Sequence, residues 1–360
     1  MNPLHTSRRL MACLASRISL CIAAGALAGG SIDIAMAADA TTPSHSARPD
    51  PLISGMWVWQ AKYVSDAGEQ DQMLDFCQRQ GFNRLLVQIP WKPGTAQVVH
   101  PKPDQETAGA AVHPEINYSD GLGRLVTEAA KRHIAIEALD GAPYMGDKIH
   151  WPETLATVDA ILAFNATLPA DAKLAGIHWD IEPYVRPDWK VMETRPQIEL
   201  DYLQLLTDAK KKLADSGSNL TLSVDIPMWY DNKTDPADNC IVTFNGQTKN
   251  FHQHIQDICD YVGIMSYRQK ALGKNSTSEH VANELAYAER IGKYVVPAFE
   301  TIQLKDTPQI TFFGKDAQTL LGERAKLIDT LKDRPGFGGM FIHNYPSVKA
   351  ILEPATAARN

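Results

Sequence analysis

Two carboxylates stand two residues apart in Trp179-Asp180-Ile181-Glu182-Pro183, a spacing that suits proton transfer. In an extended segment residues i and i+2 share a face, so the two acids lean on one another. Like-charge repulsion across that gap keeps one proton between them. A carboxylic acid held protonated near neutral pH, beside a second negative group, is the equipment for breaking a C–O bond through an oxocarbenium-like state: the acid protonates the leaving oxygen and the anion steadies the cation. The expectation is that the shared proton rests mostly on Glu182, the acid nearer the end of its strand.

Other polar residues fall where they can join this pair. Ile177, Trp179 and Ile181 form one apolar set suited to pack against helices, which leaves His178, Asp180 and Glu182 on the opposite face. Three ionisable groups in one buried row are costly unless pairing, water or chemistry uses them. The same alternation brings in Gln88, Ser223 with Asp225, and Glu300, each at or near a strand's C-terminal end. Glu137 and His343 lie on strands with apolar residues on both faces, so alternation leaves their direction open. Trp59, Trp91, Trp229 and Tyr230 come at or just after strand ends and offer flat rings for sugar stacking; each is equally at home capping a core. For the polar residues the competing role is a buried ion-pair network that only fixes the fold.

The elements that must hold these residues are short apolar runs alternating with amphipathic stretches. Strands are expected at 55–59, 84–89, 134–139, 176–181, 220–226, 262–266, 294–299 and 339–343, with helical stretches between them. Eight such units argue for an α/β fold closed into a single (β/α)8 TIM barrel over residues 51–354. Neither GxGxxG nor GxxxxGK[ST] follows the first strand, so a nucleotide fold is not indicated. Long connections at 91–118 and 227–249 fall on the C-terminal face, where barrel active sites are made.

Ahead of the barrel, Arg8, Arg9 and Arg17 precede an apolar run from Ile18 to Leu27 and the small-residue stretch Ala35-Met36-Ala37, the pattern of a signal peptide over 1–37. Residues 38–50 read as a flexible leader and 355–360 as a tail. A secreted or periplasmic protein cleaved near Ala37 is expected, with no integral membrane segment in its mature part, because no apolar stretch approaches the ~20 residues a spanning helix needs. The formal net charge of −7 gives no basic patch for a polyanion, and nucleic acid is not an expected partner. Cys77 reads as a small buried hydrophobe, while Cys240 and Cys259 are placed for a possible bridge. No CxxC or His-rich spacing occurs, so neither a metal nor a cofactor is expected. A metal-dependent hydrolase using His178, Asp180, Glu182 and Asp225 as ligands is a third possibility, unsupported by any His-x-His on the first strand.

Gly176-Ile177-His178-Trp179-Asp180-Ile181-Glu182 resembles the fourth-strand motif of the family 18, chitinase-like glycoside hydrolases, which ends Asp-x-Glu. Ile264-Met265-Ser266-Tyr267 is similar to the Met-x-Tyr of that family's sixth strand. The resemblance implies Glu182 as general acid, Asp180 as its orienting partner and Tyr267 beside the reacting sugar. The chain looks still more like a group of secreted bacterial barrel proteins of unsettled activity with Asp-Ile-Glu-Pro-Tyr and Met-x-Tyr-Arg signatures, which brings in Arg268. It departs from the chitinase motif at Ala175 and His178, where acids are usual, at Arg268, where Asp is usual, and at His343-Asn344-Tyr345, where a Trp is usual. Glu182-Pro183 with Glu300 on the seventh strand also resembles the acid/base and nucleophile of the large retaining glycosidase clan, although Ile181 stands where that clan has Asn.

The function expected is therefore a secreted glycoside hydrolase acting on a poly- or oligosaccharide. Its proposed machinery is Glu182, Asp180, Tyr267 and Glu300, with Trp59, Gln88, Trp91, Glu137, His178, Asp225, Trp229, Arg268 and His343 around the substrate. The alternative is a carbohydrate-binding barrel that has lost turnover, motivated by Ala175 and His178.

Overall fold

A computed structural model describes residues 48–95, 113–231 and 240–354. The signal-peptide segment, nearly all of the leader, the tail and the middle of both long connections lie outside the described residues. Eight parallel strands close into a barrel. They are β1 (Ile53–Val58), β2 (Arg84–Gln88), β3 (Ala135–Asp140), β4 (Gly176–Trp179), β5 (Thr221–Pro227), β8 (Tyr261–Met265), β9 (Tyr294–Glu300) and β10 (Gly339–His343). Two antiparallel strands, β6 (Ile241–Phe244) and β7 (Gln247–Asn250), form a hairpin in the connection after β5. All eight expected strands are present, and the barrel is a single (β/α)8 fold.

The helices between strands start and stop for local reasons. Asp66 caps Ala67–Gln80 by accepting the Glu69 N–H, and Gly81 ends it at φ 71°, a conformation a side chain disfavours. Asn250 and Gln253 form a reciprocal capping box on Phe251–Ile258. Among the described residues, no helix is long and apolar enough to cross a membrane.

Strand register settles which side chains point inward. Leu86 pairs with Glu137 and Glu137 with Gly176; Leu139 pairs with His178, His178 with Ser223 and Ser223 with Tyr261; Asp225 pairs with Gly263 and His343 with Glu300. Paired residues face the same side, so Glu137 and His343, left open by alternation, both point into the barrel. Ile177, Trp179 and Ile181 pack in the outer core with the helices. A separate inner cluster of Ile53, Trp57, Leu86, Leu139, Tyr261, Tyr294, Val296, Ala298 and Phe341 fills the barrel.

Cys77, Cys240 and Cys259 are all buried, and Cys240 and Cys259 are not bridged. Each thiol has its own setting instead. Cys240 hydrogen-bonds Glu199, a buried acid that burial first of all raises to about 7. Cys259 ends the helix Phe251–Ile258, and burial pushes its thiol up to about 12.

Candidate active site

Polar groups rise through the barrel in layers. At the base Arg84 pairs with Glu137, whose side chain is fully buried. Tyr261 donates its hydroxyl to Glu137 Oε2 at 2.8 Å and Ser223 does so at 3.0 Å. With its one proton spent there, Ser223 accepts from His178 Nδ1 at 2.7 Å. His178 Nε2 lies 2.8 Å from Asp225 Oδ2, close enough for an ion pair but off hydrogen-bond alignment. Asp225 Oδ2 also accepts from Trp57 Nε1 at 2.8 Å. Room for this carboxyl comes from Gly263 on the neighbouring strand, where a Cβ would sit 2.1 Å from Asp225 Oδ1.

Above Asp225 the chain leaves β4 and presents Asp180 and Glu182. Asp180 is the most strongly perturbed acid here. Burial, then the charges of Asp225 and Glu182, push its carboxyl well above the usual range, and its Oδ1 is buried without a hydrogen-bond partner. Glu182 is raised as well, first by burial and then by Asp225, but the Tyr184 hydroxyl donates to Glu182 Oε1 and tempers the rise. Both carboxyls are thus held above the ordinary range, the condition for keeping one proton between them. Tyr267 lies over the cluster: burial, then Glu300, Asp225, Asp180 and Glu182, keep its phenol protonated.

Glu300 and His343 make a second, adjacent unit. Trp59 Nε1 is 2.8 Å from His343 Nε2, and an indole can only donate, so Nε2 accepts and the ring proton is on Nδ1. That proton points at Glu300, 3.1 Å from Oε1 and 3.0 Å from Oε2. Glu300 Oε1 also accepts the backbone N–H of Thr301 at 2.6 Å and of Ile302 at 2.8 Å, and the residue is only 3% exposed. Bound in this way, Glu300 fixes His343 and Trp59.

The remaining candidates are dispersed. Gln88 is half-buried and points inward from the end of β2. Trp229 packs edge-on against Tyr184 with ring centres 5.2 Å apart, bracing the Glu182 donor. Trp91, expected as a stacking platform, is 8% exposed and gives its indole N–H to Asp140 at 2.8 Å, so its ring belongs to the outer core. Arg268 turns away from the acids, donating to Asn275 Oδ1 at 2.9 Å and to the Tyr267 carbonyl at 2.7 Å. Trp57, Tyr184 and Tyr261 enter the network without having been singled out; of these only Tyr184, inside the Asp-Ile-Glu-Pro-Tyr run, carried a sequence signal. Among the described residues no three His, Cys, Asp or Glu side chains converge as metal ligands do.

No protein-family model matches the chain, and no curated protein matches it. Among solved structures, the endo-1,4-beta-mannanase of Rhizomucor miehei is similar with a TM-score of 0.53 and 10% identity, over 81% of this chain and 85% of that one. The two chains share the (β/α)8 barrel fold. A GH18 chitinase from Pseudoalteromonas aurantia, at 11% identity, covers 81% of this chain and 93% of its own with a TM-score of 0.48. The beta-glucosidase of Thermotoga maritima, also at 11% identity, covers 82% and 89% with the same TM-score of 0.48. At such identities the likeness is one of fold, and residue roles must be argued from this chain's own geometry.

The Asp180 environment has a measurable cost. Because the folded protein holds that proton above the ordinary Asp range, folding stability is fullest below the unfolded value and falls as pH rises toward the folded one. Asp180→Asn abolishes this penalty. Its melting temperature should match the wild type in acid and exceed it at neutral pH; a variant less stable at neutral pH than in acid, relative to wild type, contradicts the assignment.

Proposed function

We propose that this protein is a secreted glycoside hydrolase acting on a poly- or oligosaccharide, with Glu182 as general acid/base. The observation that carries the reading is the convergence of Asp180, Glu182 and Asp225 beneath Tyr267 at the C-terminal mouth of the barrel, where burial and the charge of Asp225 raise both Asp180 and Glu182. Such a cluster stores a proton and an anionic charge in one cleft, the two things glycosidic cleavage consumes. Asp180 and Glu182, both raised, keep one proton between them, and Oε1 of Glu182 is already fixed by Tyr184. Glu182 protonates the leaving oxygen; Asp225, supported by Trp57 and facing His178, supplies the standing negative charge. Tyr267 offers its hydroxyl to the sugar, and Trp59, held by His343, offers a ring at the rim. Export follows from the N-terminal segment, with its basic start, apolar run and small-residue end.

The test is the release of new reducing ends from a panel of soluble polysaccharides by the protein lacking residues 1–37. Binding to a polysaccharide with no release of ends from any member of the panel is the result expected of the carbohydrate-binding alternative and overturns the enzyme reading.

The Tyr184 contact makes a second, finer expectation. Its hydrogen bond lowers Glu182, so Tyr184→Phe should move the alkaline limb of the kcat/KM profile to higher pH. An unmoved limb, measured across the same pH range, means the titrating acid is not Glu182.

A further inference from the structure

The formal charge of −7 conceals a local reversal. Where the chain leaves β8 behind Tyr267, the following loop and the turn Pro308–Ile310 enclose a pocket of about 460 Å³. Its polar lining among the described residues is Arg268, Lys270 and Lys274 with Gln269, Asn275 and Gln309: three cations, three amides and no acid. Arg268 is held in place by Asn275 and the Tyr267 carbonyl through Nε and Nη1, which leaves Nη2 free to bind. Asn275 Oδ1 is braced in turn by His280 Nε2 at 2.8 Å. Gln269 ties the two walls together by donating to the carbonyls of Pro308 and Thr311. Of the nearby acids, Glu279 accepts the Asn275 N–H, and Glu323 accepts the Ala271 N–H and pairs with Lys326, feeling the charge of Lys270 only after these. Lys270 and Lys274 are exposed, and neither ammonium makes a hydrogen bond among the described residues.

We propose that this pocket receives an anionic substituent of the glycan, so that the substrate of the Asp180–Glu182 centre is an acidic polysaccharide. The inference rests on the glycoside-hydrolase reading and names its substrate class. Arg268 directly follows Tyr267, so a chain lying over Tyr267 toward this loop brings a neighbouring sugar to the guanidinium. A free Arg nitrogen beside two ammonium groups matches the acceptor oxygens of a uronic-acid carboxylate or of a sulfate ester. The rest of the molecule repels polyanions, which makes selective capture of one a property of this pocket.

The test uses Glu182→Gln protein, which keeps the pocket while stopping turnover, titrated with polygalacturonate, alginate, hyaluronate, dextran sulfate, the methyl ester of polygalacturonate, and dextran. At least one acidic polymer should bind about tenfold or more tighter than the neutral ones, the size of one hydrogen bond to a charged group. Lys270→Gln with Lys274→Gln, both exposed and harmless to the fold, should collapse that gap. Selective binding of dextran sulfate alone assigns the substituent as a sulfate ester; selective binding of a uronate polymer assigns a carboxylate. The proposal falls if no acidic polymer is preferred, if the lysine variant keeps the full preference, or if single-stranded DNA binds as tightly as the best glycan. The enzyme reading fails separately: selective binding with no reducing ends released by wild type removes the hydrolase and leaves the pocket. Equal cleavage of an acidic polymer and its neutral ester leaves the hydrolase and removes the pocket.

Discussion

Glu182→Gln is expected to lower kcat by about 10²- to 10⁴-fold, the contribution of a positioned general acid/base. Gln keeps the size of the side chain and can still accept the Tyr184 hydroxyl, so the walls of the cleft stay where they are. It carries no proton that it can give up. Because the loss falls on a transition-state interaction, kcat and kcat/KM should drop together, with affinity for the uncleaved chain within about threefold, a difference under ~1 kcal/mol. The substitution also removes one of the like charges that raise Asp180, so the variant should be no less stable than wild type. A variant that turns over within roughly tenfold of wild type shows that the proton comes from another group.

Glu137→Ala should produce the largest loss of stability, about 3–5 kcal/mol, as expected when one partner of a buried ion pair is removed. Glu137 is fully buried and is the shared acceptor for Arg84, Tyr261 and Ser223. Its removal strands one charge and two hydroxyls inside the barrel. In a domain of this size each kcal/mol lowers the melting temperature by about 2–4 °C, so the fall should be on the order of 10 °C. Urea unfolding measures it, and Glu137→Gln, which keeps an acceptor for the two hydroxyls, should cost less. A loss under ~1 kcal/mol for Glu137→Ala would mean that the layered network contributes little to holding the barrel.

The strands were legible because each is a short apolar run between helical stretches, and β4 was legible in more detail because Ile177, Trp179 and Ile181 are uniformly apolar on the outer side. β3 and β10 resisted because both faces of a closed barrel are buried: Ile136 and Ala138 face the helices, while Leu139 fills the interior beside Glu137. Alternation cannot mark a face when apolar residues occupy both, and only the register to β2, β4 and β9 resolved it. Trp57 carried no local sign of its bond to Asp225, which comes from a strand 168 residues away in sequence. The hairpin β6–β7 is different, since its signal was present: Asn245-Gly246, both at positive φ, is a turn that joins twisted antiparallel strands. Trp91 and Trp59 show the limit of composition, for both follow strand ends, yet one gives its N–H to Asp140 in the outer core and the other to His343 at the rim.

Donation of a proton by Glu182 to the leaving oxygen is tested most directly by varying how much the leaving group needs one. Wild type and Glu182→Gln would be compared on an unactivated oligosaccharide of the sugar that is cleaved, and on its aryl glycosides with progressively more acidic phenols. The variant should show a large loss of kcat/KM for the oligosaccharide, shrinking steadily toward wild-type rates as the phenol becomes acidic enough to depart unprotonated. An equal loss across the whole series would contradict it, placing Glu182 in the architecture of the cleft and not in the chemistry.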